Sequence, residues 1–444
     1  AFGRALAISP RYTPALSNWC DSLIARGEFA AARDLAGRYA DAAPDDVGAW
    51  FKYGYALTLT GELEPARAAL LRVAAREPGF PLVQHNLGTI ALWQNRLDDA
   101  DAHFRAELDR DARHADARFG LASSLLKRRR CEEGWREFEA RTETGAGATS
   151  RLPLKIRAWD GKALDGTLLV LAEEGLGDVL QFARFLADAK ALANRVVLYC
   201  GGYWSPLKRL LASAPGVDAI VDRQSGSLPI AAHSRIMSLP QVLGLGAQAF
   251  IPRAPYLTPP ADELRRWAER LRPCTGLRVG LCWGGNPRVA LPHAARIDER
   301  RSIGLSRLAP LGEIPGVHFV SLQKGGGADV ADVSALRLID WSDELVDYAD
   351  TAALMANLDL IITVDTSIVH CAGAIGRPVW MLDRFDNCWR WGTDSTNPGW
   401  YPTLRVFRQP DAGDWAHVVD AVRARLAQFA SDAKAAGSSA PTRD

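Results

Sequence analysis

The sequence lacks the cysteine and histidine patterns that mark disulfide frameworks and metal sites. Its seven cysteines are scattered along 444 residues and include no Cys-x-x-Cys pair. An odd, dispersed set of this kind predicts reduced, mostly buried thiols in a cytoplasmic protein. The eight histidines include no His-x-x-x-His pair. We therefore expect no metal site.

Long apolar runs and an excess of one charge are missing too. No run approaches the ~20 residues of a membrane-spanning helix, and no signal peptide is visible. The net charge is +1, which disfavours a nucleic-acid binder because such proteins usually carry a basic stripe. The one dense basic run, Lys127–Arg130, predicts a solvated helix face, with partner binding as the alternative.

Two nucleotide-binding signatures are also absent. The chain contains no Walker loop, and the pair Gly175-x-Gly177 lacks the third glycine of the dinucleotide fingerprint. The second absence disfavours a nicotinamide dehydrogenase.

Residues 1–148 do contain a repeat with a period of 34. Small residues in two columns would let paired helices approach closely, and an apolar column would fill the seam between them. The columns are Cys20, Gly54, Gly88 and Ala122; Ala32, Ala66, Ala100 and Gly134; Ala36, Leu70, Phe104 and Phe138; and, at the inter-helix turn, Gly27, Gly61 and Asn95. This pattern resembles the tetratricopeptide repeat.

The repeat pattern also predicts a binding surface. Phe2 and Pro10 fall in the columns of a preceding repeat, so we expect the array, the true N-terminus and any targeting signal to extend beyond this sequence. Stacked repeats form a superhelical α-solenoid with a concave face, usually a surface for a protein or peptide. A scaffold or dimerisation arm without a peptide ligand is the alternative.

After residue 148 short apolar runs alternate with amphipathic segments, which predicts parallel α/β sheets of the doubly wound kind. A proline-rich stretch places a boundary near residues 258–276, dividing 149–258 from 259–429, with a flexible tail at 430–444. The predicted strands are Leu168–Ala172, Val196–Cys200, Ala219–Val221, Val279–Trp283, His318–Leu322, Leu360–Val364 and Val379–Leu382.

Loops at the ends of these strands carry the candidate chemistry. In Glu173-Glu-Gly-Leu-Gly-Asp178, the aspartate could cap a helix or point into a cleft as a general base. In Asp365-Thr-Ser367, a helix N-terminus with hydroxyl groups forms a potential anion site, and capping is again the alternative. After Trp283-Gly-Gly-Asn286, Arg301 could bind a diphosphate.

In order and spacing, these loops resemble glycosyltransferase family 9, the heptosyltransferase-like enzymes. The resemblance covers roughly residues 155–425 and also rests on Arg301-Ser-Ile303, Ser321-Leu-Gln-Lys324, Cys388-Trp-Arg-Trp391 and Trp400-Tyr-Pro402. It implies a GT-B pair of Rossmann-like domains, with the acceptor on the first and the donor on the second. It also implies an inverting, metal-independent enzyme that uses a nucleotide-diphosphate sugar and no other cofactor.

The same resemblance assigns roles to individual residues. Asp178 is implied as the catalytic base. The donor is implied to contact Trp283, Asn286, Arg301, Lys324, Asp365, Thr366, Ser367 and His370. The acceptor side is implied to hold Gly177, Gln181 and His233, with a structural role for His233 as the alternative.

Three departures from the family pattern stand out. Glu174 replaces a glutamine, Ala231 replaces an aspartate, and residues 289–297 form an apparent insertion before Arg301. We expect a cytoplasmic bacterial glycosyltransferase whose repeats hold a protein acceptor such as flagellin. The alternatives are a lipopolysaccharide- or glycan-directed enzyme and a non-catalytic adaptor.

Overall fold

The computed structural model describes residues 1–144, 156–222, 229–286, 292–325, 334–396 and 398–438. The chain divides into two compact units. The first unit consists of residues 1–126, 136–146 and 287–299, and the second of 127–135, 147–286 and 300–444. Residues 127–135, inside the predicted repeat region, thus belong to the second unit.

The N-terminal region is an array of antiparallel helix pairs with the predicted period. A Cβ atom on Gly54 would lie 2.8 Å from Leu70, and one on Gly88 would lie 2.8 Å from Phe104. The predicted close approach between the small-residue and apolar columns is therefore confirmed. The helices are α1 (Phe2–Ile8), α2 (Thr13–Ala25), α3 (Phe29–Ala42), α4 (Val47–Thr60), α5 (Leu63–Arg76), α6 (Val83–Trp93), α7 (Leu97–Leu108), α8 (Ala115–Lys127) and α9 (Cys131–Phe138).

The turn column is confirmed and extends one repeat further than predicted. Gly27, Gly61 and Asn95 have φ angles of 75°, 85° and 58°. Arg129, 34 residues after Asn95, continues the series with a φ of 61°. A left-handed conformation is unfavourable for arginine, so the contacts of this residue must hold it there.

The prediction of a solvated face at Lys127–Arg130 is wrong at its two best-placed residues. Lys127 is 3% exposed, and its Nζ donates to the Asn387 carbonyl at 3.1 Å. Arg129 donates to the carbonyls of Arg390 and Pro398 at 3.1 and 2.7 Å. Sequence alone cannot identify these partners, because they lie more than 250 residues away.

We expect Lys127→Met to stabilise the second unit at pH 7. Burial, with a further contribution from Arg408, lowers the pKa of Lys127 from 10.5 to about 8. Between these values the unfolded chain binds more protons, so wild-type stability rises with pH. The shift corresponds to on the order of 3 kcal/mol, of which the lost hydrogen bond offsets ~1 kcal/mol. The variant's advantage should therefore disappear as the pH rises from 8 to 10.5.

Urea unfolding at several pH values measures this difference. The matched control is Lys162→Met, since the Lys162 side chain is 84% exposed and should give a curve parallel to that of the wild type. A Lys127→Met curve that also runs parallel to the wild-type curve would contradict the prediction.

The second unit contains a four-stranded parallel sheet. The strand order is β3-β2-β1-β4, and all three strands predicted before residue 258 are present. β4 is an edge strand that was not predicted, because its Ala-Ala-His-Ser sequence offers no continuous apolar run. The elements are β1 (Leu164–Leu171), α10 (Leu176–Phe182), α11 (Leu186–Lys190), β2 (Ala193–Tyr199), α12 (Lys208–Leu211), β3 (Ala219–Val221), β4 (Ile230–Arg235) and α13 (Leu239–Val242).

A five-stranded parallel sheet follows, with the order β6-β5-β7-β8-β9. Here too the edge strand β9 was not predicted. Helix α18 runs to Ser438, so the segment 430–438 of the predicted flexible tail is helical. The elements are α14 (Ala261–Arg270), β5 (Leu277–Cys282), α15 (Pro292–Arg301), β6 (Val317–Ser321), α16 (Tyr348–Ala356), β7 (Leu360–Val364), α17 (Ser367–Ala374), β8 (Val379–Asp383), β9 (Leu404–Arg408) and α18 (Trp415–Ser438).

The apparent insertion before Arg301 includes part of α15. Residues 292–299 belong to the first unit, and Arg296 Nε donates to the Leu59 carbonyl at 3.1 Å. That carbonyl lies in the last turn of α4, where carbonyl groups lack helical partners and a cation is favoured. This part of the insertion therefore packs on the repeats.

Candidate active site

Asp178 lies where β1 passes into α10. Gly175 is the N-cap of α10, and the Asp178 Oδ2 atom accepts a hydrogen bond from the Gly175 N–H at 2.8 Å. The capping role that the sequence suggested is thus present. The other carboxylate oxygen, Oδ1, forms an ion pair with Arg390. The side chain of Asp178 is still 21% exposed, so a ligand can reach it.

Gly177 brings this turn against the second sheet's loop. A Cβ atom on Gly177 would lie 3.1 Å from the Ser367 Cα and 2.9 Å from the His370 Cδ2. Only a residue without a side chain fits this contact. The absence of a Cβ therefore lets the start of α10 pack directly on the start of α17, and it brings two of the predicted loops together.

The predicted anion site at α17 has the expected helix-terminus geometry. Thr366 is the N-cap, and its side chain accepts from the Ile368 N–H at 3.3 Å. The Ser367 hydroxyl contacts the Tyr348 hydroxyl. Arg301, at the end of α15, donates to the Asp365 carbonyl at 3.2 Å. The structure thus places a cation, two hydroxyl groups and a helix N-terminus together.

Three predicted donor residues lie elsewhere. Trp283 is 4% exposed and belongs to the core of the second sheet, so its ring forms no wall of the site. Asn286 is exposed after β5. Lys324 is exposed after β6, and its Nζ donates to the Leu345 carbonyl. The structure does not bring these three side chains to Ser367.

His370 is buried behind the site. Its Nδ1 lies 3.0 Å from the Tyr401 hydroxyl, and its ring stacks on Trp391 at a centroid distance of 5.3 Å. Burial, reinforced by the charge of Arg390, lowers the pKa of His370 well below its usual value. The imidazole is therefore neutral near pH 7 and supports the packing of α17.

The residues predicted for the acceptor side separate into two groups. Gln181 lies one turn after Asp178, is fully buried, and its Oε1 accepts from Arg390 Nε at 2.8 Å. His233 instead lies in mid-strand on β4, paired with Leu169, and its Nδ1 is 3.1 Å from the Arg157 carbonyl. This placement favours the structural alternative for His233.

Sequence reasoning assigned no role to Arg390 or Gln323. Arg390 joins Asp178 to Gln181 and is only 13% exposed. The Gln323 Oε1 accepts from the N–H groups of Trp283 and Gly284 at 3.2 and 3.0 Å, which fixes the glycine loop after β5. Arg390 could have been noticed as a lone cation between two tryptophans.

Paired charges at the ends of β8 and β9 were also not predicted. Asp383 is fully buried, and its Oδ2 accepts from Arg408 Nε at 2.8 Å. Burial raises the pKa of Asp383 to about 6, against the opposing effect of Arg408. Asp386 pairs with Arg300 at 3.0 Å. Cationic side chains thus accumulate at the edge of the sheet that carries Arg301.

Two further searches covered the described part of the chain. No group of three His, Cys, Asp or Glu side chains there could hold a metal ion. None of its helices is both long and apolar enough to span a membrane.

The comparisons with known proteins agree on the repeats. Residues 23–90 and 85–142 match two tetratricopeptide-repeat profiles, so the helix pairs of the array are tetratricopeptide repeats. The chain is 26% identical over 396 residues to Protein FlbA of Caulobacter vibrioides. This match covers 80% of the chain and 62% of FlbA, so the chain spans less than two thirds of that relative's length.

Solved structures are similar to the remainder at low identity. The heptosyltransferase II of E. coli, an ADP-heptose lipopolysaccharide enzyme, has a TM-score of 0.44 and 13% identity, covering 60% of this chain and 100% of its own. A glycosyl transferase family 9 protein from Veillonella parvula has a TM-score of 0.43 and 13% identity, covering 62% and 98%.

Proposed function

We propose that the second unit is an inverting, metal-independent glycosyltransferase that transfers a sugar from a nucleotide-diphosphate donor to a hydroxyl group. One observation carries this proposal. The Gly-Leu-Gly-Asp turn after β1 lies against the first turn of α17, where Gly177 meets Ser367. A carboxylate on one sheet thus shares a site with an anion-binding helix end on the other.

The chemistry requires one base and one anion site. The acceptor oxygen attacks the anomeric carbon and forms the new C–O bond, while its proton passes to the Asp178 carboxylate. The bond from the anomeric carbon to the diphosphate oxygen breaks, and the diphosphate leaves with the electron pair. Arg301 and the N-terminus of α17 would stabilise that charge.

The acceptor belongs to the same proposal. Tetratricopeptide repeats commonly bind peptides or proteins in their concave face, which supports a protein acceptor, flagellin among the candidates, for a cytoplasmic bacterial enzyme. A lipopolysaccharide or other glycan acceptor is the second candidate, with the repeats used for assembly. A non-catalytic adaptor is the third candidate, but the exposed carboxylate of Asp178 beside an anion site speaks against it.

Calorimetric titration with ADP, GDP, UDP, CMP and dTDP tests the donor site. We expect one nucleotide to bind clearly best and to raise the melting temperature by mass action. Arg301→Ala should weaken that binding about tenfold or more, because it removes charge-assisted hydrogen bonds worth ~1.5–3 kcal/mol. The matched control is Arg307→Ala, an exposed arginine six residues further on, which should bind normally. Binding of none of the five would favour the adaptor.

A further inference from the structure

Arg390 occupies a closed set of contacts around Asp178. Its Nε donates to Gln181 at 2.8 Å and its Nη1 to the Cys388 sulfur at 3.1 Å. Its Nη2 pairs with the Asp178 Oδ1 atom. Asp178 and Gln181 are three residues apart on α10, so they face the guanidinium from one side of that helix.

The backbone of Arg390 is held as firmly as its side chain. Its carbonyl accepts hydrogen bonds from Trp400 Nε1 at 2.8 Å and from Arg129 Nη2 at 3.1 Å. Its guanidinium carbon lies 4.5 Å from the centre of the Trp389 ring. A side chain fixed at both ends loses little additional freedom when it orients a neighbour.

The carboxylate of Asp178 is therefore held at both oxygens, by Gly175 N–H on Oδ2 and by Arg390 on Oδ1. Each oxygen keeps a second lone pair that can accept a proton. A general base is effective only when its oxygen stays within hydrogen-bond reach of the acceptor hydroxyl. Rotation of the carboxylate away from that position would break the contact with Arg390.

We propose that Arg390 is a positioning residue, which holds the Asp178 carboxylate in the orientation needed to take the acceptor proton. This role rests on the proposed function. Arg390 does not contact the donor, and it acts through Asp178. The charge pair also has a structural consequence, because Asp178 neutralises a guanidinium that is largely removed from water.

A double-mutant cycle tests this role in the full chain with Arg390→Met, Asp178→Asn and their combination. Release of nucleoside diphosphate from ADP-glucose, GDP-mannose and UDP-glucose is measured with water as acceptor, and the ester that the wild type cleaves fastest is used for all variants. We expect Arg390→Met to lower kcat about 100-fold, with KM and nucleotide Kd within threefold of the wild type. Arg390→Lys should retain part of the rate.

The combination separates positioning from other roles. Adding Arg390→Met to Asp178→Asn should cost less than a further threefold, because a residue that acts through Asp178 has nothing left to orient. Equal losses on both backgrounds, or a raised nucleotide Kd in Arg390→Met, would overturn the inference. The matched control is Arg184→Met, a buried arginine bonded to the Trp400 carbonyl at 3.0 Å. It should lower the melting temperature but leave turnover per folded molecule within threefold.

The melting temperatures of the same variants test the pair without turnover. The double variant should melt no lower than the less stable single variant, because the two substitutions remove one interaction. Additive losses would overturn the ion pair. A wild type that neither binds a nucleotide nor cleaves an ester would reject the proposed function and the positioning role together. A wild type that cleaves, with Arg390→Met equally active, would reject the positioning role alone.

Discussion

Replacing Asp178 with asparagine should lower sugar transfer by about 10²- to 10⁴-fold, the range expected for loss of a general base. An amide cannot take the proton of the acceptor hydroxyl, but it matches the carboxylate in shape. Nucleotide binding should remain within threefold of the wild type, since Arg301 and α17 are unchanged. Transfer assays and calorimetry on the same preparation measure both quantities.

The control for this prediction lies on the same strand. Asp165, near the start of β1, is exposed and accepts a hydrogen bond from Asn194, so Asp165→Asn should retain full activity. The loss of one N-cap hydrogen bond to Gly175 should lower the stability of Asp178→Asn by ~1 kcal/mol, which urea unfolding will detect. Unchanged turnover in Asp178→Asn would reject this residue as the base.

Trp135→Ala should destabilise the second unit by about 3–5 kcal/mol, the usual cost of removing a buried tryptophan. Trp135 is 1% exposed and stacks on Phe250 at 5.6 Å. It also meets Trp389 edge to face at 5.5 Å and donates to the Gly246 carbonyl at 3.1 Å. Urea unfolding followed by near-ultraviolet circular dichroism measures the change, because that signal reports the packing of tryptophans.

Two variants set the scale for this result. Trp135→Phe keeps an aromatic ring and should cost less than Trp135→Ala, while Tyr203→Ala removes a ring that is 60% exposed and should change stability by less than ~0.5 kcal/mol. A change of that small size in Trp135→Ala would mean that residues 127–135 do not form part of the second unit's core.

The same contacts decide where the repeats can be removed. A variant that lacks residues 1–148 loses Trp135, Arg129 and Lys127 from the second unit, whereas one that lacks residues 1–126 keeps them. Only the shorter deletion is suitable for asking whether the repeats hold an acceptor protein. If they do, that variant should lose transfer to protein and keep hydrolysis of the nucleotide sugar.

The sequence by itself determined the features that depend on short-range periodicity. A 34-residue period predicted the helix pairs and the close contact of Gly54 with Leu70, because small residues at fixed helical positions have one use. Apolar runs predicted the central strands of both sheets, since a strand buried on both faces needs such a run. The edge strands β4 and β9 escaped prediction because they lack it.

The tertiary structure alone decided which side chains meet. The strand-end loops around Asp178, Ser367 and Arg301 were recognised from sequence, because strand ends and helix starts have local signals. Arg390 and Lys127 were not recognised, since their partners lie more than 200 residues away and a basic residue looks solvated in isolation. Packing buried both cations and paired one of them with Asp178, and no local pattern encodes that choice.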